Sequence, residues 1–412
     1  MIVELSAKIP LKLPDNLRKE IDDIIPDINN RYHVFTIPKS SGKRRIISAP
    51  DKNLKNVQSR VLKFLQKECN PQFAYNGSFG FVPYYGIVDS AIFHRRGLLR
   101  RYTTKDKYKV SYNKGKSIIT ESRKLMGRNI PFLSAGSRGS LALTTDRLNG
   151  IKNTKSSYIP NTIVRIDIQN AFTSIDYELI KTGLRFIYDF DDQNDCERLC
   201  KLSLKSFNAK KHNVIQGLPQ GSPLSPFMLN IALHDFDKYV KALIADKIAT
   251  RFKCHFKYSR YADDITISTN TKDAKKCIPI VYGVLKHFGL KPNYKKTRIM
   301  TVGTGLFVNG INIVNCSTHI SVSRKYRKNV RAGIYNTIKL DRSTQEFKKN
   351  KKSILGKISH IYSIDPVHGS KLLAFGVDKG LFDKNTKLHG LTVDQALHKY
   401  SKTITQRKTI YK

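Results

Sequence analysis

The sequence predicts an α+β fold, and three observations predict it. Strand-like pairs about tight turns occur at 32–50 and 257–269, apolar residues recur at helical spacing in the segments around them, and no internal repeat or long low-complexity linker separates the parts. At 412 residues the chain exceeds the size at which one core usually keeps growing, so two or three packed subdomains are expected.

Residues 14–30 read as a short acidic helix. YHVFTIPKSSGKRRIISAP (32–50) reads as two strands about a Ser-Gly-rich turn, ending at Pro50. LKNVQSRVLKFLQKEC (54–69) sets Leu54, Val57, Val61 and Leu65 on one helical face. From 95 to about 160 Lys and Arg recur, with Asp106, Glu121 and Asp146 the only acids, which reads as a basic insertion. A strand at 162–168 and helices near 177–188 and 195–207 follow. QGLPQGSPLSP then leads into one helix over FMLNIALHDFDKYVKALI. After KYSRYADDITIST come a helix at about 272–288 and a small strand pair near 299–323. Residues 324–412 are strongly basic and mostly helical, with SRKYRKNVRAGIYNTIKL the clearest face.

Lys and Arg number 74 against 32 Asp and Glu, a formal net charge of +42. Such an excess draws in polyanions, so nucleic acid is the first partner to consider and an acidic membrane surface the second. No apolar stretch approaches the ~20 residues that span a bilayer. The N-terminus also lacks a basic head followed by an apolar core, so a cytoplasmic protein without a membrane partner is expected. Six cysteines are scattered without a C-x-x-C pair, which indicates neither a zinc site nor a disulfide framework.

The chemistry centres on Asp263 and Asp264, adjacent within KYSRYADDITIST. Successive strand residues point to opposite faces, so an ordinary strand cannot aim both carboxylates at one target. A solvated turn is the bland explanation. Against it, Tyr258, Tyr261, Ile265, Thr266 and Ile267 favour strand on both sides and leave only Ala-Asp-Asp to bend, a hairpin with its acids at or beside the turn. Clustered carboxylates repel unless a cation neutralises them, and hard oxygen ligands favour Mg²⁺. Asp167 closes the apolar strand IVRID and supplies a third carboxylate. Three such groups suffice for two metal ions ~3.5–4 Å apart, the clamp of phosphoryl transfer.

These segments resemble the reverse transcriptases, in order along the chain. IVRIDIQNAFTSID resembles the motif of the first catalytic aspartate, QGLPQGSPLSP the template- and nucleotide-contacting loop, and YADD the catalytic hairpin. GLKPNYKKT is similar to the G-L-x-x-N-x-x-K-T element, TGLFVNG to the primer-grip hairpin, and SGKRRIISAP to the fingertip segment. The bacterial retron-type and group II intron-like branch fits best. GFVPYYGIVDSAIFH resembles the retron region with Ser90 where Asn is usual, TVGTGLFVN the retron V-T-G element with Gly303 in place of Val, and LGKISHIYSIDP a thumb segment of the same group.

The resemblance implies a right-hand polymerase fold: fingers and an N-terminal part at 1–94, the basic insertion at 95–160, a palm with an antiparallel sheet at 161–300, a primer-grip hairpin at 301–323, and a basic helical thumb and C-terminal region at 324–412. It implies that Asp167, Asp263, Asp264 and the carbonyl of Ile168 bind two Mg²⁺, with Mn²⁺ as a substitute. Arg45, or its neighbours Lys43 and Arg44, would meet the dNTP triphosphate, Gln220 and Gly221 would shape its pocket, and Lys296 would assist pyrophosphate departure. Phe172 would lie under the sugar or else pack in the palm core. Tyr261 and Ala262 would lie beneath the primer end. Ser90, Ala91 and His94 with Thr304, Gly305 and Leu306 would help to recognise a structured RNA, and Tyr102, Tyr108 and Tyr112 would stack bases or simply pack. The activity implied is synthesis of cDNA from a dedicated structured non-coding RNA, in a retron or related antiphage defence system with an effector protein as a further partner. A defence-associated relative with template-independent or protein-primed synthesis is the alternative, and a non-catalytic RNA-binding scaffold a distant one.

Overall fold

The strands follow the apolar runs of the sequence. In chain order they are Ile9–Leu11 (β1), Tyr32–Pro38 (β2), Arg44–Pro50 (β3), Thr162–Asp167 (β4), Tyr188–Phe190 (β5), Lys205–Asn208 (β6), Val214–Gly217 (β7), Phe256–Tyr261 (β8), Asp264–Thr269 (β9), Arg298–Thr301 (β10), Phe307–Val308 (β11), Ile311–Asn312 (β12) and Ser321–Val322 (β13). This computed structural model describes residues 8–38, 42, 44–68, 73, 77–83, 85–96, 160–208, 214–313 and 320–395. They fall into two units, Met1–Gly86 with Pro160–Thr301, and Ile87–Ile159 with Val302–Lys412.

The first unit is built on an antiparallel sheet of order β10-β4-β9-β8. β4 and β9 are buried at nearly every position, the mark of a strand covered on both faces. Val164, Ile166, Ile265 and Ile267 share one fully buried core with Met228, Leu229, Phe236 and Val240 from the helices Ser225–Ala232 and His234–Ile244, and with Val281 and Leu285 from the helix Cys277–His287. The segment expected as one helix over 227–244 is therefore two, broken at Leu233 (φ −96°, ψ 6°). The first is buried almost all round and the second on one face, and the break lets each follow its own packing direction. β2 and β3 pair antiparallel from Tyr32 opposite Pro50 to Pro38 opposite Arg44, as the sequence indicates, and Val34, Phe35, Ile37 and Ile46 on them are exposed.

Two local expectations change. The helix expected to 207 ends at Ser203, because Leu204 is extended (φ −98°, ψ 152°) and 205–208 pairs with β7. β10, expected in a small strand pair, instead joins the large sheet beside β4, a choice of partner that local propensity cannot encode.

In the second unit the helix Ile87–Arg96 packs against β11 and β12, which continue through β13 into a three-stranded sheet. Three helices follow, Arg324–Ile338, Gln345–Ile364 and Pro366–Asp378, each packed on the next. Their N-termini are capped by Ser323, Thr344 and Asp365, whose side-chain oxygens accept the backbone N–H three residues on. Val330, Ile334, Ile354, Ile358 and Leu373 turn inward, whereas Arg324, Lys325, Lys328, Arg331, Lys348, Lys349, Lys352 and Lys357 are exposed. Residues 97–159, which hold nearly all of the expected basic insertion with Tyr102, Tyr108 and Tyr112, lie outside the described residues. Among the described residues no helix is long and apolar enough to cross a membrane. Cys196, Cys200, Cys254 and Cys277 are free and buried.

Candidate active site

The strand register answers how two adjacent acids and a distant one meet. Asp167, last in β4, stands directly opposite Asp264, first in β9, so their side chains share one face of the sheet. Tyr261 also pairs with Asp264, which leaves Ala262 and Asp263 as a two-residue hairpin turn. Ala262 takes a left-handed φ of 58°, and the Asp263 carbonyl accepts the Ile168 N–H at 3.0 Å. Three carboxylates thus come to one end of the sheet. The alternation rule is met because Asp263 belongs to the turn, not to the strand.

Their surroundings are cationic. Lys296 Nζ donates to Asp167 Oδ1 at 2.8 Å and to Oδ2 at 3.1 Å, and Asn293 Nδ2 donates to Oδ2 at 3.0 Å. The Asn293 N–H reaches the Asp167 carbonyl at 2.7 Å, which fixes the loop of GLKPNYKKT against the end of β4. Arg165, two residues before Asp167, grips Asp264 through Nε at 3.1 Å and Nη2 at 2.5 Å. Burial opposes charge on Arg165, but its hydrogen bond to Asp264 and the three nearby carboxylates raise its pKa. Asp263 is pushed up, first by burial and then by the charges of Asp264 and Asp167.

Among the described residues no group of three or more His, Cys, Asp or Glu side chains is closed around a common ion position. The reason is visible: Asp167 turns toward Lys296 and Asp264 toward Arg165. The donor chemistry nevertheless fits a hard divalent cation, since all the acids offer oxygen and the repulsion around Asp263 is of the kind such a cation relieves.

Of the expected nucleotide residues, Phe172 is linked toward this end through ring contacts and Gln220 is tied to β3 by a backbone bond. Phe172 lies in the short helix Ala171–Ser174, half-buried, edge-on to Phe81 with ring centroids 6.3 Å apart, and Phe81 lies 6.4 Å from Tyr261. The Phe172 carbonyl accepts the Leu218 N–H at 2.9 Å, and the Gln220 carbonyl accepts the Ser48 N–H of β3 at 2.8 Å. Gly221 (φ 136°) has no room for a side chain, since a Cβ there would lie 2.6 Å from the Ser48 carbonyl oxygen. Arg44 and Arg45 are exposed on β3, Arg44 donating to Thr36 Oγ1 at 2.7 Å, and Lys43 lies outside the described residues.

In the second unit Ser90, Ala91 and His94 sit on the helix Ile87–Arg96 and are fully buried, as is Leu306, while Thr304 is exposed and Gly305 (φ 84°) half-buried. That helix supports the hairpin of β11 and β12, so both segments expected to meet RNA belong to one unit.

Sequence reasoning missed Arg165 and Asn293, which hold Asp264 and Asp167. Each stands inside a quoted motif, but a pattern shows where a residue is and not which atom it holds.

Compared with known proteins, residues 37–356 match the family described as reverse transcriptase (RNA-dependent DNA polymerase). The chain belongs to the reverse transcriptase family. It has that family's right-hand polymerase fold, and the family depends on divalent metal. This reverse transcriptase is 27% identical over 263 residues to the retron Ec83 reverse transcriptase of Escherichia coli, covering 62% of this chain and 75% of that one. It is 23% identical over 377 residues to the retron Mx162 reverse transcriptase of Myxococcus xanthus, covering 84% of this chain and 61% of that one. Among solved structures, apo telomerase from Candida tropicalis aligns with a TM-score of 0.39 and 14% identity, over 91% of this chain and 58% of that one.

Proposed function

We propose that this reverse transcriptase makes cDNA from a structured non-coding RNA by nucleotidyl transfer with two Mg²⁺ ions, in a retron-like setting. The observation that carries the reading is the register that sets Asp167 opposite Asp264 with Asp263 in the adjoining turn. Similarity to retron reverse transcriptases supports the choice of template class.

In this reading Asp167, Asp263 and Asp264, with the carbonyl of Ile168, hold the metal. When bound, Mg²⁺ supplies activation of the primer 3′-hydroxyl and charge neutralisation at the α-phosphate. Arg165 and Lys296 hold Asp264 and Asp167 in position without it, and Lys296 turns to the pyrophosphate as the nucleotide enters. Arg45, with Lys43 and Arg44 beside it, binds triphosphate oxygens, where a planar guanidinium makes paired contacts. Phe172 lies under the sugar and excludes a 2′-hydroxyl, Gln220 and Gly221 shape the pocket, and Tyr261 and Ala262 carry the primer end. The exposed Lys and Arg of the helices from 324 onward grip backbone phosphates, a contact that weakens steeply with salt. Fingers, palm, primer grip and thumb then correspond to 1–94, 161–300, 301–323 and 324–412, with the basic insertion at 95–160, and an effector protein completes a defence system.

The test has two parts. Asp263→Asn with Asp264→Asn abolishes primer extension, and continued extension by that variant refutes the assignment. Nucleic acid that copurifies with the chain contains one discrete RNA joined to or paired with its cDNA; DNA without a template RNA refutes the template class.

A further inference from the structure

Beneath the catalytic turn lies a fully buried ion pair that the polymerase reading leaves unused. Arg260, just before Tyr261, is 0% exposed and Asp237, on the helix His234–Ile244, is 1% exposed. Arg260 donates through Nε to Asp237 Oδ1 at 2.8 Å and through Nη2 to Oδ2 at 2.7 Å. Tyr258, held protonated by burial, donates its hydroxyl to Asp237 Oδ1 at 2.5 Å. The third nitrogen, Nη1, bonds to Asn230 Oδ1 at 3.1 Å and to the carbonyl of Ala262 at 2.9 Å. Asn230 accepts from Ser78 Oγ at 2.8 Å and donates to the Gly80 carbonyl at 2.7 Å. Backbone bonds from Arg260 N to Gly77 O and from Phe79 N to Arg260 O keep that segment alongside β8.

A buried ion pair is weak evidence for stability, because desolvation offsets much of the attraction between the charges. This one has a different consequence. Its arms end on Ala262, a non-glycine residue with φ 58°, a conformation that persists where its surroundings over-determine it. We propose that Arg260, held by Asp237 and Asn230, is a positioning residue that clamps the Ala262 carbonyl and so fixes the turn that carries Asp263 beside Asp167 and Asp264. A guanidinium suits the task because one rigid fork serves Asp237, Asn230 and Ala262 together, which an ammonium on a flexible stem does not.

The proposal rests on the polymerase reading, so two readouts keep the two apart: the rate of single-nucleotide addition, and the affinity of the carboxylate site for Tb³⁺ followed by luminescence. The paired variant Arg260→Met with Asp237→Leu replaces the ion pair by apolar groups of similar size, an exchange that folds in comparable cases. With unfolding temperature and RNA binding kept, it is expected to lose about 10–100-fold in kcat with the dNTP KM unchanged. It is also expected to lose about 10-fold in Tb³⁺ affinity. A folded pair with wild-type kcat overturns the proposal and leaves the polymerase reading intact. If the wild-type chain extends no primer, that reading falls and Tb³⁺ affinity alone decides the clamp, unchanged affinity overturning it. Should the pair fail to fold, Asn230→Asp replaces the donor to Gly80 by a carboxylate and draws Arg260 away from Ala262, with the same losses expected and wild-type values again overturning the clamp. Failure of both variants to fold also overturns it, because the network would then be a folding element and not a positioning one.

Discussion

Gly80→Ala tests how tightly the turn of Ala262 and Asp263 is held, and with it the proposed catalytic role of that turn. A Cβ at Gly80 would lie 2.3 Å from the Ala262 nitrogen and 3.0 Å from the Tyr261 carbonyl carbon, both backbone atoms that no rotamer change can remove. Ordinary contact begins at 3.4 Å, so turn and loop must part by about 1.1 Å. A misplacement of ~1 Å at a reacting centre costs about 10²-fold in rate, or about 2.7 kcal/mol of barrier. Overpacking of this kind costs about 1–3 kcal/mol of stability. Single-nucleotide primer extension with kcat and KM separated, beside thermal unfolding, reads both. Gly283→Ala is the matched control: within the helix Cys277–His287, its added Cβ meets nothing within 4 Å, so the rate should hold and stability rise by about 0.5–1 kcal/mol. A folded Gly80→Ala enzyme within threefold of the wild-type kcat refutes the reasoning.

Further expectations follow from the carboxylates and their neighbours. Because burial and its neighbours raise Asp263 in the folded state, its ionised form opposes folding above the folded pKa, and stability increases as pH falls through that value. Asp263→Asn, in EDTA, should therefore unfold later at neutral pH by about 1 kcal/mol, with the gain shrinking toward acid pH; an earlier unfolding at neutral pH sinks this. Lys296→Met removes the cation at Asp167 and should lower metal-free stability by about 1 kcal/mol, an amount set by the exposure of the ammonium. Mg²⁺ should narrow that deficit, and a deficit indifferent to Mg²⁺ would count against a shared carboxylate site. Phe172→Val should raise ribonucleotide incorporation in a primer-extension assay, and unchanged sugar selectivity removes the role assigned to it.

The sequence alone determined the family and most elements, and it singled out the candidate carboxylates. Strand propensity on both sides of Ala262-Asp263-Asp264 sufficed for a hairpin, and the Ser-Gly turn between the strands at 32–38 and 44–50 was as legible, because these are local events set by residues that touch along the chain. The order of the motifs carried the family. Tertiary structure alone decided which elements pair. Asp167 faces Asp264, 97 positions further along the chain, only because β4 and β9 share a register, and β10 joins them where propensity suggested another partner. It also decided what holds the acids, since Arg165 on Asp264 and Lys296 and Asn293 on Asp167 are contacts between residues distant in sequence, and Arg260 reaches the Ala262 carbonyl while Asp237, 23 positions earlier, grips its guanidinium. A buried ion pair such as Arg260 with Asp237 is written in the sequence as two ordinary charges, and burial, which gives the pair its meaning, exists only once the chain has folded.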